Sequence, residues 1–133
     1  MPTQVILDND DATLWYYPEK KTVHHCFKRF IHGEEFRTVL EQGASAMEKY
    51  KATKWLSDDR SNGVLPPDDE KWGNQVWFPR VRSAGWKHWA IVQPEKAVAK
   101  LNMKRLQDTF AQLGINTKIF TDLEEAKTWL ASQ

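Results

Sequence analysis

The run HWAIVQ, residues 88–93, is the feature of the sequence that most limits the folds open to the chain. It is apolar over most of a strand's length, whereas a strand with one face in water alternates apolar and polar residues. A continuous apolar run is typical of a strand covered on both faces, as in a parallel sheet with helices packed against it. The run therefore predicts a layered α/β domain.

The segments on either side of this run alternate between strand and helix patterns. Extended patterns occupy residues 5–7, 13–17, 22–30, 54–59 and 117–120. Helical patterns run from Gly33 to Tyr50, from near Asp68 to Pro79, which must end or kink the helix, and from Pro94 to about Leu113 with a bend or break near Asn102. A last helix follows a Thr121–Glu124 capping box. The order is an N-terminal β-hairpin followed by α-β-α-β-α-β-α. It predicts one mixed, mostly parallel sheet of about five strands with about four helices.

Length and composition predict one soluble cytoplasmic domain over residues 1–133. Lys plus Arg is 19 and Asp plus Glu is 18, and this near-neutral balance is not typical of a nucleic-acid-binding protein. The one cysteine, Cys26, excludes an internal disulfide and suits a reducing compartment. The N-terminus lacks the pattern of a signal peptide, and no apolar run has the length of a transmembrane segment.

The stretch KWLSDDRSNGVLPPDDEKW, residues 54–72, contains the residues that we predict to form a binding site. Asp58 and Asp59 end a predicted strand, at the edge of an α/β sheet where ligands tend to bind. Ser61 and Asn62 follow in the next loop. The acids after the two prolines begin a helix, and their charge would repel a phosphate from the helix N-terminus. The stretch therefore predicts a site at Asp58, Asp59, Ser61 and Asn62 rather than a phosphate cradle.

Seven tryptophans are unusual for 133 residues, and four of them fall between residues 72 and 89. They form a tryptophan-rich core or the walls of a pocket for a small apolar ligand, and the sequence leaves both interpretations open. In the pocket interpretation Trp72, Trp77 and Trp86 are the wall residues. The same apolar excess predicts a homodimer.

The sequence does not predict a metal, a cofactor or a catalytic group. His24 and Cys26 share one strand face and His32 follows, but their spacing matches no standard zinc pattern. No GxSxG elbow is present. Asp58 and Asp59, as adjacent strand residues, are expected to point to opposite faces. The alternative that stays open is a small hydrolase-like or other enzyme that uses Asp58 and Asp59 at the strand edge.

Three segments, KWLSDDRSNG, WFPRVRSAGWKHWAIV and FTDLEEAKTWL, resemble in order and spacing the SpoIIAA-like branch of the STAS-like domains. That branch is similar to bacterial anti-sigma-factor antagonists. The resemblance covers nearly the whole chain and implies a sheet with helices packed against it. In the antagonists a serine at the start of the helix after this strand is phosphorylated. Here Asp68 and Asp69 stand at that helix entry, and Ser61 is the nearest hydroxyl. Ser61 is therefore a candidate phosphosite, and the alternative is a loop serine that supports a turn with Asn62 and Gly63.

The resemblance and the lack of a catalytic constellation together predict a non-enzymatic regulatory or ligand-binding domain. Such a domain acts through a protein partner or a small apolar, lipid-like ligand. Nucleic acid is not among the expected partners.

Overall fold

A computed structural model describes residues 3–63 and 65–133 as alternating strands and helices. The strands are β1 (Gln4–Asp8), β2 (Ala12–Tyr17), β3 (Thr22–Phe27), β4 (Lys54–Asp58), β5 (His88–Val92) and β6 (Asn116–Phe120). The helices are α1 (Gly33–Tyr50), α2 (Pro67–Trp72), α3 (Phe78–Ser83), α4 (Glu95–Lys100), α5 (Met103–Gln112) and α6 (Leu123–Ala131). A π-helical turn, Gly73–Trp77, joins α2 to α3, and a short 3-10 turn, Pro18–Lys20, lies between β2 and β3.

All six strands form one sheet in chain order, β1-β2-β3-β4-β5-β6. The first three strands pair antiparallel, and β3 to β6 pair parallel. The register aligns Thr22, Lys54, His88 and Asn116 at the starts of the parallel strands. The chain is therefore a mixed α/β domain in which the parallel strands β3 to β6 are neighbours and the antiparallel strands lie at the other end of the strand order.

Helices cover both faces of the parallel strands. Helices α1, α3 and α5 and the π-helical turn pack on the first face, which includes Val23 and Trp55. Helix α6 packs on the second face against Leu56, Ala90 and Val92. Strand β5 is thus apolar on both faces because each face lies under helices, as the run HWAIVQ predicts.

The sheet has six strands, where the sequence predicts about five. All six segments predicted as extended, residues 88–93 among them, form strands, and β1 pairs as an edge strand with β2. The predicted third strand also ends early, at Phe27 rather than at residue 30. Beyond Phe27 the chain leaves the sheet, since parallel pairing with β4 ends at the Cys26–Asp58 pair. Phe30, which the strand pattern had included, therefore lies in the loop before α1.

The helical region after Pro94 breaks at Leu101, and Asn102 caps α5 by accepting a hydrogen bond from the Arg105 amide, which confirms the predicted break. The helical regions differ from the prediction at Pro79 and at the cap of α6. Pro79 does not end its helix: it lies in the first turn of α3, directly after the π-helical turn. The cap of α6 is Asp122 rather than Thr121, because the Asp122 carboxylate accepts from the Glu125 amide at 2.9 Å.

Within the part of the chain that the structure describes, no helix is both long enough and apolar enough to cross a membrane.

Candidate functional site

Asp58 ends β4 on the second face of the sheet and is tied to Arg60, two residues further along the chain. The guanidinium donates to both carboxylate oxygens, with Nε at 2.9 Å from Oδ1 and Nη2 at 2.8 Å from Oδ2. Burial alone would raise the pKa of Asp58, but the Arg60 hydrogen bonds and charge outweigh it and hold that pKa below its usual range. The carboxylate is 3% exposed, so it is a buried, paired anion at the strand end.

Cys26 lies beside Asp58 at the end of β3, because these two residues are register partners. Burial first, and the Asp58 charge second, raise the pKa of the Cys26 thiol to about 11. At neutral pH the sulfur is therefore a thiol, and only the thiolate is a strong nucleophile. The arrangement therefore does not activate the sulfur as a nucleophile.

Asp59 points to the first face, opposite to Asp58, as strand alternation predicts. Its Oδ1 lies 2.7 Å from Nε2 of His25, and the indole N–H of Trp55 donates to Nδ1 of the same ring at 3.0 Å. An indole nitrogen only donates, so Nδ1 is the acceptor and Nε2 carries the proton. Both ring nitrogens are occupied, so His25 has no nitrogen with which to act as a base towards a substrate.

The loop after β4 crosses over the loop that precedes α1. The Asn62 side-chain oxygen accepts from the Ile31 amide at 3.2 Å, and the Asn62 amide donates to the Asp59 carbonyl at 3.1 Å. A Cβ on Gly63 would lie 3.0 Å from the Phe30 ring, so this ring rests directly on the loop. Phe30 is 46% exposed, and Ser61, two residues before Gly63, is exposed as well. The Phe30 ring is therefore partly exposed to solvent near the C-terminal ends of the strands.

Asp69, in the first turn of α2, caps a different helix. Its Oδ2 accepts from the Gly33 amide at the start of α1, at 2.8 Å, and its Oδ1 accepts from Nε of Arg37 at 3.2 Å. The Arg37 guanidinium also lies 5.4 Å from the centroid of the Trp72 ring. One of the acids after the two prolines thus fastens α2 to α1, and the half-buried Trp72 takes part in this contact.

We expect Asp69→Ala to lower the free energy of unfolding by about 3 kcal/mol, because it leaves a helix N-terminus and a guanidinium without their buried anion. Urea unfolding followed by circular dichroism measures the change. The matched control is Asp68→Ala, since the Asp68 side chain is exposed and only its carbonyl contacts Arg37. Equal losses in the two variants would contradict the capping role.

The tryptophans predicted as pocket walls occupy different environments. Trp77 and Trp86 are 6% and 2% exposed and pack edge-to-face on each other at 5.5 Å between ring centroids. Their indole N–H groups donate to the carbonyls of Leu40 and His88, at 2.8 and 2.9 Å. Both rings therefore belong to the core cluster around Trp55. A role for these rings in ligand binding stays a prediction.

The three residues weighed as metal ligands do not meet. His24 pairs through Nδ1 with the Tyr17 hydroxyl at 2.7 Å, while Cys26 lies beside Asp58. His32 is exposed at the start of α1. Across residues 3–63 and 65–133, no group of three or more His, Cys, Asp or Glu side chains is placed to hold a metal ion.

His24 is the one buried side chain whose polar atom lacks a partner among the described residues. Its Nε2 is buried with no hydrogen bond, under the Trp15 ring at 4.5 Å between centroids. Burial, followed by the His25 charge, lowers the pKa of His24 to about 3. The imidazole is therefore neutral at physiological pH.

Two surface depressions lie away from the predicted residues. One, of about 420 Å³, is lined by α5 and the residue before it, and the other, of about 230 Å³, lies between the β1–β2 turn and α1. The predicted Asp58, Asp59, Ser61 and Asn62 all lie at the C-terminal end of β4, with Asp58 and Asp59 on opposite faces of the sheet, while Trp77 and Trp86 are in the core. Sequence reasoning missed Phe30, because the strand pattern of residues 22–30 included it.

Comparison of the chain with protein-family models, with curated proteins and with solved structures finds no match.

Proposed function

We propose that the chain is a non-enzymatic, STAS-like regulatory domain that acts in the cytoplasm through a protein partner. The partner contacts the strand-end surface, which we define as Phe30, Ser61, Asn62 and Gly63. The observation that supports this is the exposed Phe30 ring, at 46%, beside polar groups that already bond within the protein. Exposed aromatic rings on a rigid base are frequent anchors of protein interfaces.

Asp58 and Asp59 are each already paired with another side chain, and this weighs against the enzyme alternative. Asp58 is paired with Arg60, and Asp59 with His25, on opposite faces of the sheet. A pair of carboxylates that shares no cleft cannot act on one bond, and catalysis requires converging groups.

The burial of Trp77 and Trp86 weighs against a lipid-like ligand between these rings. Their packing leaves them dry before any ligand binds. Within the proposal, the protein partner is therefore preferred to the small apolar ligand. Ser61, as part of the strand-end surface, stays the candidate phosphosite.

A partner should copurify with the wild-type protein from its own host, and Phe30→Ala should lower the affinity for it roughly 30-fold, as expected for an aromatic anchor. Native mass spectrometry of the purified protein detects the complex, and titration gives the affinity. The matched control is Val76→Ala, since Val76 is 55% exposed on the π-helical turn. A partner that binds both variants as tightly as the wild type would refute the strand-end surface.

A further inference from the structure

The near-neutral total charge of the chain hides a separation of charge along the strands. Most carboxylates lie at the C-terminal ends of the parallel strands, in the adjoining β1–β2 turn or in the first turns of helices that begin at that edge. They include Asp8, Asp10, Asp11, Glu34, Glu35, Asp58, Asp59, Asp68, Asp69, Glu70, Asp122, Glu124 and Glu125. The opposite edge, where β3 to β6 begin, is rich in lysine.

Five lysines at that opposite edge form what we call the basic end: Lys20, Lys21, Lys51, Lys54 and Lys87. Main-chain hydrogen bonds place their segments side by side. The Lys21 carbonyl accepts from the amides of Thr53 and Lys54, at 3.1 and 3.2 Å. The Thr53 carbonyl accepts from the Lys87 amide at 2.8 Å, so the lysines lie across three neighbouring strand starts. With strands about 4.8 Å apart, the charges are packed within roughly 10 Å of sheet width.

The lysines of the basic end face solvent and take no part in the ion pairs described for residues 3–63 and 65–133. Four of the five are exposed, and Lys54 is half-buried. Glu19 is the acidic neighbour in the same turn. Burial and then the charges of Lys54 and Lys87 lower the pKa of His88, which agrees with a positive potential at this edge.

Two of these lysines occupy backbone positions that favour glycine. Lys21 has φ 50° and Lys51 has φ 55°, and they are the only non-glycine residues with positive φ among those described. Each follows the end of a helical turn, where a left-handed residue is most often glycine. A cation just after a helix end can be explained by its favourable interaction with the helix dipole. This explanation does not apply to Lys54 and Lys87, which lie at strand starts.

We propose that the basic end docks the protein on an anionic membrane surface. The five lysines that define the basic end attract a charged plane as point charges. The half-buried rings near this edge that could stack with nucleic-acid bases already have partners within the protein. Tyr50 stacks on Tyr16 at 4.4 Å and donates to Gln4, and Tyr17 bonds to His24. A stable protein interface, by contrast, is usually poor in lysine.

This docking goes beyond the proposed partner binding and occurs at the other end of the molecule. The charge separation orients the protein with its acidic edge away from the lipid. Phe30 and the strand-end surface then face the solution, so the two surfaces can be occupied together.

The test is cosedimentation with phosphatidylcholine vesicles that contain phosphatidylserine, beside vesicles of phosphatidylcholine alone. The wild type should bind the anionic vesicles, bind the neutral ones far more weakly, and dissociate as salt is raised. The double variant Lys21→Gly and Lys51→Gly should bind the anionic vesicles roughly 30-fold more weakly. Because glycine suits both backbone positions, circular dichroism should show an unchanged fold.

The matched control is Lys96→Gln with Lys100→Gln, which removes the same charge from exposed lysines of α4, near the opposite edge. This control should bind anionic vesicles like the wild type. Absence of wild-type binding at low salt would overturn the proposal, and so would equal losses in the two double variants. Tighter binding to duplex DNA or to polyglutamate than to the vesicles would overturn it in favour of those partners.

Discussion

Gly43→Ala should lower the free energy of unfolding by about 3 kcal/mol or more, because the added methyl group would enter the ring of Trp55. A Cβ at this position overlaps Cη2 of Trp55 and lies 2.8 Å from Cζ3. Trp55 is fully buried, and its ring touches Trp77 and Trp86, so it cannot move aside without disturbing the core. Urea unfolding, followed by tryptophan emission, measures the change.

Gly73→Ala is the matched control for this substitution. Gly73 also lies in a helical segment, with φ −58°, and an added Cβ there meets no atom within 4 Å. Alanine should leave the stability unchanged or raise it by up to about 1 kcal/mol. Similar losses at the two positions would show that α1 does not approach the sheet as closely as Gly43 indicates.

Acid should destabilise the protein through His24, with a loss of up to about 1.4 kcal/mol per pH unit between pH 6.5 and about pH 3. The pKa of His24 is lowered from 6.5 to about 3 by its burial. As the pH falls below 6.5 the unfolded chain binds a proton at this site first, so the proton favours unfolding. Above pH 6.5 neither state is protonated there, and the stabilisation is complete.

His24→Gln isolates this contribution, because the amide can still pair with the Tyr17 hydroxyl but does not titrate. Chemical unfolding of both proteins should be measured from about pH 7.5 to about pH 4, because this range includes the unfolded pKa of about 6.5. The difference in stability between wild type and variant should change steadily below pH 6.5. Parallel curves for the two proteins would refute the role of His24, since the carboxylates that also titrate are common to both.

The strands and most helices could be predicted from sequence because their signals are local. The apolar run at residues 88–93 and the periodic residues of α1 each report the burial of one element. Strand β1 was also predicted, from the apolar residues 5–7, although it lies at the edge of the sheet and Val5 is 61% exposed. The end of β3 at Phe27 depends on pairing with β4, which no local pattern contains.

The positions of the site residues were predictable, whereas their partners were not. Asp58 and Asp59 follow a strand, so their place at the sheet edge could be predicted from the chain order. The contact of Asp69 with Gly33 joins residues that are 36 positions apart, and that of Asp59 with His25 spans 34 positions. Such pairs form only when helices and strands pack together. The stretch predicted as a binding site also makes contacts that join α1, α2 and β4, and its role in binding stays a prediction.

The central claim is that a protein partner contacts the strand-end surface at Phe30. Photocrosslinking in the host's own cells tests it most directly, with a benzophenone amino acid in place of Phe30 or, as the control, of Val76. Both positions are exposed, at 46% and 55%, but Phe30 lies in the loop before α1 and Val76 on the π-helical turn. We predict one discrete crosslinked protein from position 30 and none from position 76. No crosslinked protein from position 30, or the same products from both positions, would contradict the proposed function.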